Sequence, residues 1–224
     1  MSGSRVLYLT YDGLLEPLGE SQVVPVVEGL ARSGFALSVV SFEKEEDLRS
    51  QERVEGMRAR LAESGVGWRV HRYHRRPSLP ATLFDTWTGT KEVRRAVRTG
   101  GGKLLVHARS YVPALMGLRG IRGTEARLLF DLRGFLVDER VESGSWRVGG
   151  PLERLGRRVE RSLLRGADAL VHLTEAGRTE ADVLAGGRLT QPSRVIPTLV
   201  DLERFRPPRD PEGAREELGI GPGP

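Results

Sequence analysis

The sequence predicts an α/β fold: a doubly wound parallel sheet of about seven strands with helices on both faces. Short apolar runs of strand length alternate along the chain with longer segments whose apolar residues recur every three or four positions. Glycine-containing breaks separate many of these segments, as at Gly65, Gly67 and 100–102. Unbroken alternation of strands and helices is typical of a parallel sheet covered on both faces.

The first predicted strand spans 6–9 and is followed by a loop that contains Gly13 and Gly19. Ser21 then opens a helical pattern, either as a plain N-cap or as part of a loop that binds an anionic group. The other strands are predicted at 36–42, 68–73, 103–108, 127–132, 167–173 and 194–196. The other helices are predicted at 43–64, 79–98, 111–119, 136–142, 151–165 and 174–185.

The repeated strand–helix unit ends near residue 205. Residues 206–213 are rich in proline, and 214–218 begin a new helical pattern. We therefore predict a domain of residues 1–205. Residues 206–224 are interpreted as an interdomain linker and the start of a missing second domain, with a solvated tail as the alternative.

Composition excludes several classes of protein. The 224 residues include no cysteine, which excludes a disulfide framework and a thiolate metal site. The pair His71 and His74 lies among arginines and is interpreted as solvated surface, so no metal site is predicted. No apolar run reaches membrane-spanning length, and the N-terminus leads directly into a strand without a signal-peptide pattern. We therefore expect a cytoplasmic protein.

The net charge is +5, and all but three of the 35 basic residues are arginine. A basic surface suits nucleic acid or an anionic membrane. The sequence has no helix-turn-helix pattern, zinc knuckle or aromatic ladder, so nucleic acid is not expected as a partner. Peripheral contact with the inner face of an anionic membrane is compatible with the charge.

Polar residues cluster where predicted strands end. The carboxyl ends of parallel strands meet at one edge of a sheet, where ligands of open α/β folds bind. A plainer interpretation is available for several of these residues, because Asp131 can pair with Arg133, Thr174 can cap its helix, and 138–140 can form a helix face. The candidate substrate-binding residues are Gly19, Glu20, Ser21, Gln22, His107, Arg109, Arg133, Glu139, Thr174 and Glu175.

Several segments, in this order, resemble the N-terminal half of family 4 glycosyltransferases of the GT-B fold. They are the GESQ loop (19–22), VHARSY (106–111), FDLRGFLVDER (130–140), a basic helix centred on Glu160, ADALVHLTEAG (167–177) and VIPTLVDLERFRP (195–207). The last segment carries the most specific part of the resemblance. It is similar to the family's crossover into a second domain. The matched segments extend over nearly the whole chain.

The resemblance implies a Rossmann-like acceptor-binding domain, one half of a GT-B fold. It implies a retaining, metal-independent transfer of a sugar from a nucleotide-sugar to a glycan or lipid-linked acceptor, with no cofactor. In the family, the loop matching Gly19 approaches the donor phosphates, and basic side chains stabilise the leaving diphosphate. The missing second domain would hold most of the donor.

Two departures from the family pattern leave the catalytic residues unassigned. Arg109 and Arg133 stand where histidines are frequent in the family, and the donor-domain basic pair and Glu motif have no counterpart in this sequence. The chain alone is therefore expected to be inactive. One alternative is a stand-alone module that binds a glycan or nucleotide without catalysis. A nucleotide enzyme of another class is disfavoured, because neither a GxGxxG loop nor a P-loop is present.

Overall fold

A computed structural model describes residues 5–76, 78–198 and 210–221. Within these residues, seven strands form one parallel sheet in the order β3-β2-β1-β4-β5-β6-β7. The strands are β1 (Arg5–Thr10), β2 (Ala36–Glu43), β3 (Gly67–Arg72), β4 (Leu104–Arg109), β5 (Arg127–Asp131), β6 (Ala169–His172) and β7 (Ser193–Val195). The ten helices in the described ranges are α1 (Pro17–Gln22), α2 (Val24–Arg32), α3 (Glu45–Leu48), α4 (Gln51–Glu63), α5 (Ser78–Thr99), α6 (Tyr111–Gly120), α7 (Leu136–Glu142), α8 (Pro151–Gly166), α9 (Glu175–Ala185) and α10 (Pro211–Glu217).

The strand order confirms the predicted doubly wound, Rossmann-like sheet. β1 lies in the middle and pairs in parallel with β2 on one side and β4 on the other. After β1 the chain adds β2 and β3 on one side of it, and then crosses over to add β4 to β7 on the other side. The direction in which strands are added to the sheet therefore reverses at the boundary between β1 and β4. In open α/β sheets this switch point leaves a crevice at the carboxyl ends of the strands.

Alternating residues of β1 divide the core into two layers. Leu7 and Leu9 belong to a cluster that includes side chains from α5, α6 and α8. Val6 and Tyr8 belong to a second cluster with side chains from α2 and α4. Because successive residues of a strand point to opposite faces, helices must cover both sides of the sheet.

Some predicted boundaries are wrong. The first helix begins at Pro17, before Ser21, so Ser21 is not its N-cap; its hydroxyl donates to the Pro17 carbonyl. Residues 43–64 do not form one helix: β2 continues through Glu43, and Ser50 begins α4 separately by accepting a hydrogen bond from the Arg53 N–H. Serine competes for backbone groups and so favours such a break.

The strand predicted at 167–173 is shorter in the structure. It spans Ala169–His172, and just before it the Asp168 carboxylate accepts a hydrogen bond from the Leu128 N–H at 2.9 Å. The last helix starts at Pro211, with Asp210 as its N-cap, so the final residues predicted as linker are helical. Residues 199–209, which include the first half of the predicted linker (206–209), lie outside the described residues. In the described ranges, no helix is long and apolar enough to cross a membrane.

Candidate functional site

A polar cavity of about 360 Å³ opens at the carboxyl edge of the sheet. Its walls come from segments at or after the ends of β1, β4, β5, β6 and β7, which lie side by side. This is the location expected for a ligand site at the switch point of an α/β sheet. Its lining residues include Asp12, Gln22, Arg109, Ser110, Arg133 and Glu139.

The segment predicted as a glycine loop is helical from Pro17 onward. Gly19 is buried in the first turn of α1, and a Cβ added there would lie 1.8 Å from the Gly13 carbonyl oxygen. Glycine is therefore needed for the backbone of α1 to pack against the preceding loop. Glu20 and Ser21 face solvent, whereas Leu18 and Gln22 line the cavity.

A buried carboxylate that sequence analysis missed supports this loop. Glu43, predicted to begin a charged helix, is instead the fully buried last residue of β2. It accepts hydrogen bonds from the N–H groups of Leu14 at 2.8 Å and Leu15 at 3.1 Å, and from the Ser41 hydroxyl at 2.5 Å. Burial raises the pKa of Glu43 above its ordinary value, although these hydrogen bonds oppose the shift. The sequence signal that could have identified Glu43 as buried is its position at the end of an apolar strand.

Arg109 links three parts of the site. It is the last residue of β4 and is almost completely buried. Its guanidinium donates from Nη2 to Gln22 Oε1 at 2.8 Å and from Nε to Asp12 Oδ2 at 3.3 Å. It thus fixes the end of α1 and the loop after β1 against the sheet, while still lining the cavity.

Asp131 lies between two basic side chains, His107 and Arg133, at the neighbouring strand end. Its Oδ2 accepts hydrogen bonds from Arg133 Nε at 3.1 Å and Nη2 at 2.9 Å, and lies 3.4 Å from His107 Nε2. Burial alone would raise the pKa of Asp131, but the hydrogen bond and charge of His107, followed by Arg133, outweigh it and lower that pKa. The structure therefore pairs Asp131 with Arg133, as the plainer interpretation expected, and Arg133 also lines the cavity.

His107 does not line the cavity. Its ring packs against Tyr8 with centroids 4.4 Å apart, and it lies behind Asp131. His107 is therefore positioned to orient Asp131 and, through it, Arg133.

Glu139 lines the cavity from α7, whose start is fixed by a buried acid on α8. Glu160 is 2% exposed and accepts a hydrogen bond from the Val137 N–H at 3.1 Å. Arg157 donates to the other Glu160 oxygen at 3.2 Å and also pairs with Asp138. Within the charged segment 138–140, Asp138 thus has a structural role on the helix face, as the plainer interpretation predicted. Glu139 instead lines the cavity.

Thr174 and Glu175 have local roles. The Thr174 hydroxyl accepts a hydrogen bond from the Gly177 N–H at 3.0 Å and caps α9. Glu175 is exposed and pairs with Arg178 at 2.8 Å. Neither lines the cavity, although the preceding residue, Leu173, does. Within the described part of the chain, no group of three or more His, Asp or Glu side chains is arranged to hold a metal ion.

Ser110 is held in a strained backbone conformation at the cavity wall. Its φ of 70° and ψ of −177° belong to a region that is essentially restricted to glycine. Its N–H donates to the Asp131 carbonyl at 2.8 Å, which holds the turn from β4 into α6 against β5. Strain of this kind typically persists where surrounding contacts require one geometry.

Replacing Ser110 with glycine should raise the free energy of unfolding by about 1 kcal/mol, because relief of strain exceeds the extra chain entropy of glycine. Denaturant unfolding of both proteins measures the change. The matched control is Ser33→Gly, where φ is −80° and the same change should reduce stability. Equal effects at the two positions would contradict the strain argument.

Comparison with known proteins places this chain in a family. The family model for the glycosyl transferase 4-like domain matches residues 19–197. Among curated proteins, no sequence matches at a significant level.

Solved structures share the fold at low sequence identity. Sucrose-phosphate synthase from Thermosynechococcus elongatus aligns with a TM-score of 0.62 and 14% identity, over 97% of this chain and 53% of that one. An E. coli protein described as trehalose-6-phosphate bound with UDP-2-fluoro glucose aligns with a TM-score of 0.56 and 14% identity, over 96% and 54% of the two chains. A putative UDP-N-acetylglucosamine 2-epimerase from Listeria monocytogenes aligns with a TM-score of 0.51 and 11% identity, over 84% and 44%.

This chain thus spans about half the length of the solved chains it resembles. Its sheet has the Rossmann-like architecture of one half of a GT-B fold. Since the family model covers most of the chain and the parallel sheet agrees with it, this chain belongs to the glycosyl transferase 4-like family.

Proposed function

We propose that this chain is the acceptor-binding half of a retaining, metal-independent glycosyltransferase that moves a sugar from a nucleotide-sugar to a glycan or lipid-linked acceptor. A second domain would supply most of the donor contacts and complete the cleft. The observation that carries the proposal is the cavity at the carboxyl edge of the sheet, built by five adjacent strand ends. The family match supports the reaction class.

The chemistry of the cavity suits an acceptor with several hydroxyl groups. A hydroxyl donates one hydrogen bond and accepts others, so it is best matched by carboxylates or amides next to guanidinium groups. Asp12, Gln22 and Glu139 supply acceptors, and Arg109 and Arg133 supply donors around one space. Asp12, Gln22, Arg109 and Arg133 are already held by hydrogen bonds within the site, which lowers the ordering cost of binding.

The arginines also suit the transfer step. As the bond from the sugar to the nucleotide breaks, negative charge develops on the leaving diphosphate. Fixed cations that face this charge stabilise it without reorganisation. Arg109 is the more deeply buried of the two, and each arginine is paired with an aspartate: Arg109 with Asp12 and Arg133 with Asp131. No residue is assigned as a general base.

The 224-residue chain alone should show no sugar transfer and only weak binding of nucleotide-sugars. A few neutral hydrogen bonds of about 0.5–1.5 kcal/mol each must offset an association cost of roughly 4 kcal/mol or more. The dissociation constant should therefore lie near the millimolar range. Calorimetry with UDP-, GDP- and ADP-sugars measures it. Micromolar binding by this chain would favour the stand-alone binding module instead.

In a protein that extends beyond Pro224 with a donor domain, Glu139→Gln should raise the acceptor KM about tenfold. The change removes one charge-assisted hydrogen bond of about 1.5 kcal/mol while leaving the donor contacts in place. The matched control is Glu142→Gln, an exposed residue at the end of the same helix. An unchanged acceptor KM in Glu139→Gln, or an equal rise in both variants, would exclude this side chain from the acceptor site.

A further inference from the structure

A buried carboxylate on α5 forms a hydrogen-bonded cluster next to the loop that enters the cavity. Asp85 is completely buried, and its Oδ2 accepts hydrogen bonds from the Tyr11 hydroxyl at 2.8 Å and from the His74 N–H at 3.0 Å. Its Oδ1 lies 2.6 Å from His74 Nδ1. Because an ionised carboxylate only accepts hydrogen bonds, Nδ1 is the donor in this pair. The backbone and the ring of His74 thus hold both oxygens of Asp85 in one orientation.

The packing of α5 does not by itself require a carboxylate at this position. The outer face of the helix is exposed, as at Leu83, whereas Asp85 lies on the buried face with Ala81, Val93 and Ala96. An apolar side chain could fill the same space without the cost of burying a charge. Replacing a buried ion pair by apolar groups is often neutral or stabilising. The contacts of Asp85 therefore point to a role in the loop after β1.

Tyr11 connects Asp85 to the cavity wall. Its ring packs edge-on against the rings of Phe42 and Tyr73, with centroids 5.3 Å and 5.1 Å away. Burial, together with the hydrogen bond and the charge of Asp85, raises the pKa of Tyr11 above its ordinary value, so the hydroxyl stays protonated and donates. The next residue in the chain is Asp12, which lines the cavity. The position of Tyr11 therefore sets where the chain enters the cavity wall.

Asp12 begins a second series of hydrogen bonds, inside the cavity. Its Oδ2 accepts from Arg109 Nε at 3.3 Å, and Arg109 Nη2 donates to Gln22 Oε1 at 2.8 Å. The Thr10 hydroxyl accepts from the Asp12 N–H and donates to the Asp12 carbonyl, both at 3.1 Å. These last two bonds shape the turn but do not attach it to α5. A displacement of Asp12 would deprive the Arg109 Nε–H of its acceptor.

We propose that Asp85 is a positioning residue that holds the cavity carboxylate of Asp12 in place through the Tyr11 hydroxyl. Asp85 does not line the cavity. Side chains that bind a ligand keep their geometry when residues behind them fix their positions by hydrogen bonds. The loop after β1 is thus held at two points, by Asp85 at its start and by Glu43 a few residues later.

NMR of the side-chain Nε–H of Arg109 tests the proposal without any substrate. The signal is identified by its loss in Arg109→Lys. Tyr11→Phe removes only the hydroxyl and should accelerate hydrogen exchange at this Nε–H about fivefold, because Asp12 is held less firmly as its acceptor. Asp85→Ala should accelerate the exchange at least as much. Asp85→Asn keeps one oxygen for Tyr11 and His74, so it should change the exchange by less than about twofold.

The matched control is Tyr73→Phe, which removes a hydroxyl from a ring that packs against Tyr11. In the described ranges, the Asp85 carboxylate bonds Tyr11 and His74 but not Tyr73, so this variant should leave the exchange at Arg109 unchanged. Exchange of the β4 backbone amides in the same samples reports opening of the whole sheet. An unchanged exchange at Arg109 in Tyr11→Phe, or a change only in proportion to the β4 amides, would overturn the proposal.

A second measurement links this positioning to sugar transfer, and this measurement alone rests on the proposed function. In a protein extended by a donor domain, Tyr11→Phe should raise the acceptor KM about fivefold, while kcat and the donor KM change by less than about twofold. A fall in kcat at unchanged acceptor KM would indicate a general loss of folded enzyme and would contradict positioning. Faster exchange at Arg109 with an unchanged acceptor KM would support positioning of Asp12 but would count against an acceptor role of the cavity.

Discussion

Replacing Gly19 with alanine should lower the free energy of unfolding by about 3 kcal/mol or more. The added Cβ would lie 1.8 Å from the Gly13 carbonyl oxygen and 2.8 Å from the Leu14 Cα. Both contacts are with backbone, which cannot move aside as a side chain can. Overpacking of this kind typically costs 1–3 kcal/mol, and a clash with backbone belongs at the upper end. Denaturant unfolding measures the loss.

The matched control is Gly29→Ala in α2. There the nearest atom to an added Cβ is the flexible Arg32 side chain at 3.9 Å, so alanine fits. Because glycine is a poor helix former, this change should raise stability by about 0.5–1 kcal/mol. A stability loss in Gly19→Ala no larger than the effect at Gly29 would show that α1 does not pack against the loop as described.

Replacing Glu43 with alanine should lower the free energy of unfolding by about 3–4 kcal/mol. The change leaves the buried N–H groups of Leu14 and Leu15 without their acceptor, and each such loss costs about 1–3 kcal/mol. Glu43→Gln keeps one oxygen acceptor and should cost about half as much. Glu55→Ala, an exposed position on α4, is the control and should change stability by less than about 0.5 kcal/mol.

The pH dependence of stability gives a second measurement at Glu43. Burial raises the pKa of this carboxyl in the folded protein, so folding favours its protonated form. Its contribution is therefore fully present below the ordinary pKa of 4.5 and is lost as the pH rises through the raised folded-state pKa. Above pH 4.5 the difference in unfolding free energy between the unmodified protein and Glu43→Gln should shrink. A difference that grows with pH in this range would mean that the ionised form is the one stabilised by folding.

The sheet was predictable because its signals are local. Each strand core is a short apolar run, as in 103–108, and each helix shows a recurring apolar stripe, as in Val24 and Val27. Parallel pairing then follows from the alternation of strands and helices, since each crossover returns the chain to the same edge. Boundaries were less predictable, because side chains such as Ser50 begin elements through hydrogen bonds that depend on their surroundings.

The candidate site was predictable only as a location. Because parallel strands end at one edge of the sheet, Arg109 and Arg133 were both predicted as candidate substrate-binding residues, and both line the cavity. The same rule also included Thr174 and Glu175, which lie just beyond a strand end but turn to cap α9 and to pair with Arg178. Sequence position gives the edge of the sheet on which a residue lies, but not the direction of its side chain.

The sequence by itself determined the fold class, the succession of strands and helices, and the resemblance to one family of transferases. Only the tertiary structure decided that Gly19 is a packing contact within a helix, that Glu43 is buried beneath the loop after β1, and that the outer face of α5 stays exposed. Local propensity and hydrophobic spacing are encoded over a few residues, so they can be read along the chain. Burial of Glu43 depends on backbone N–H groups 28 and 29 residues away in sequence, and such partners meet only when the chain has folded.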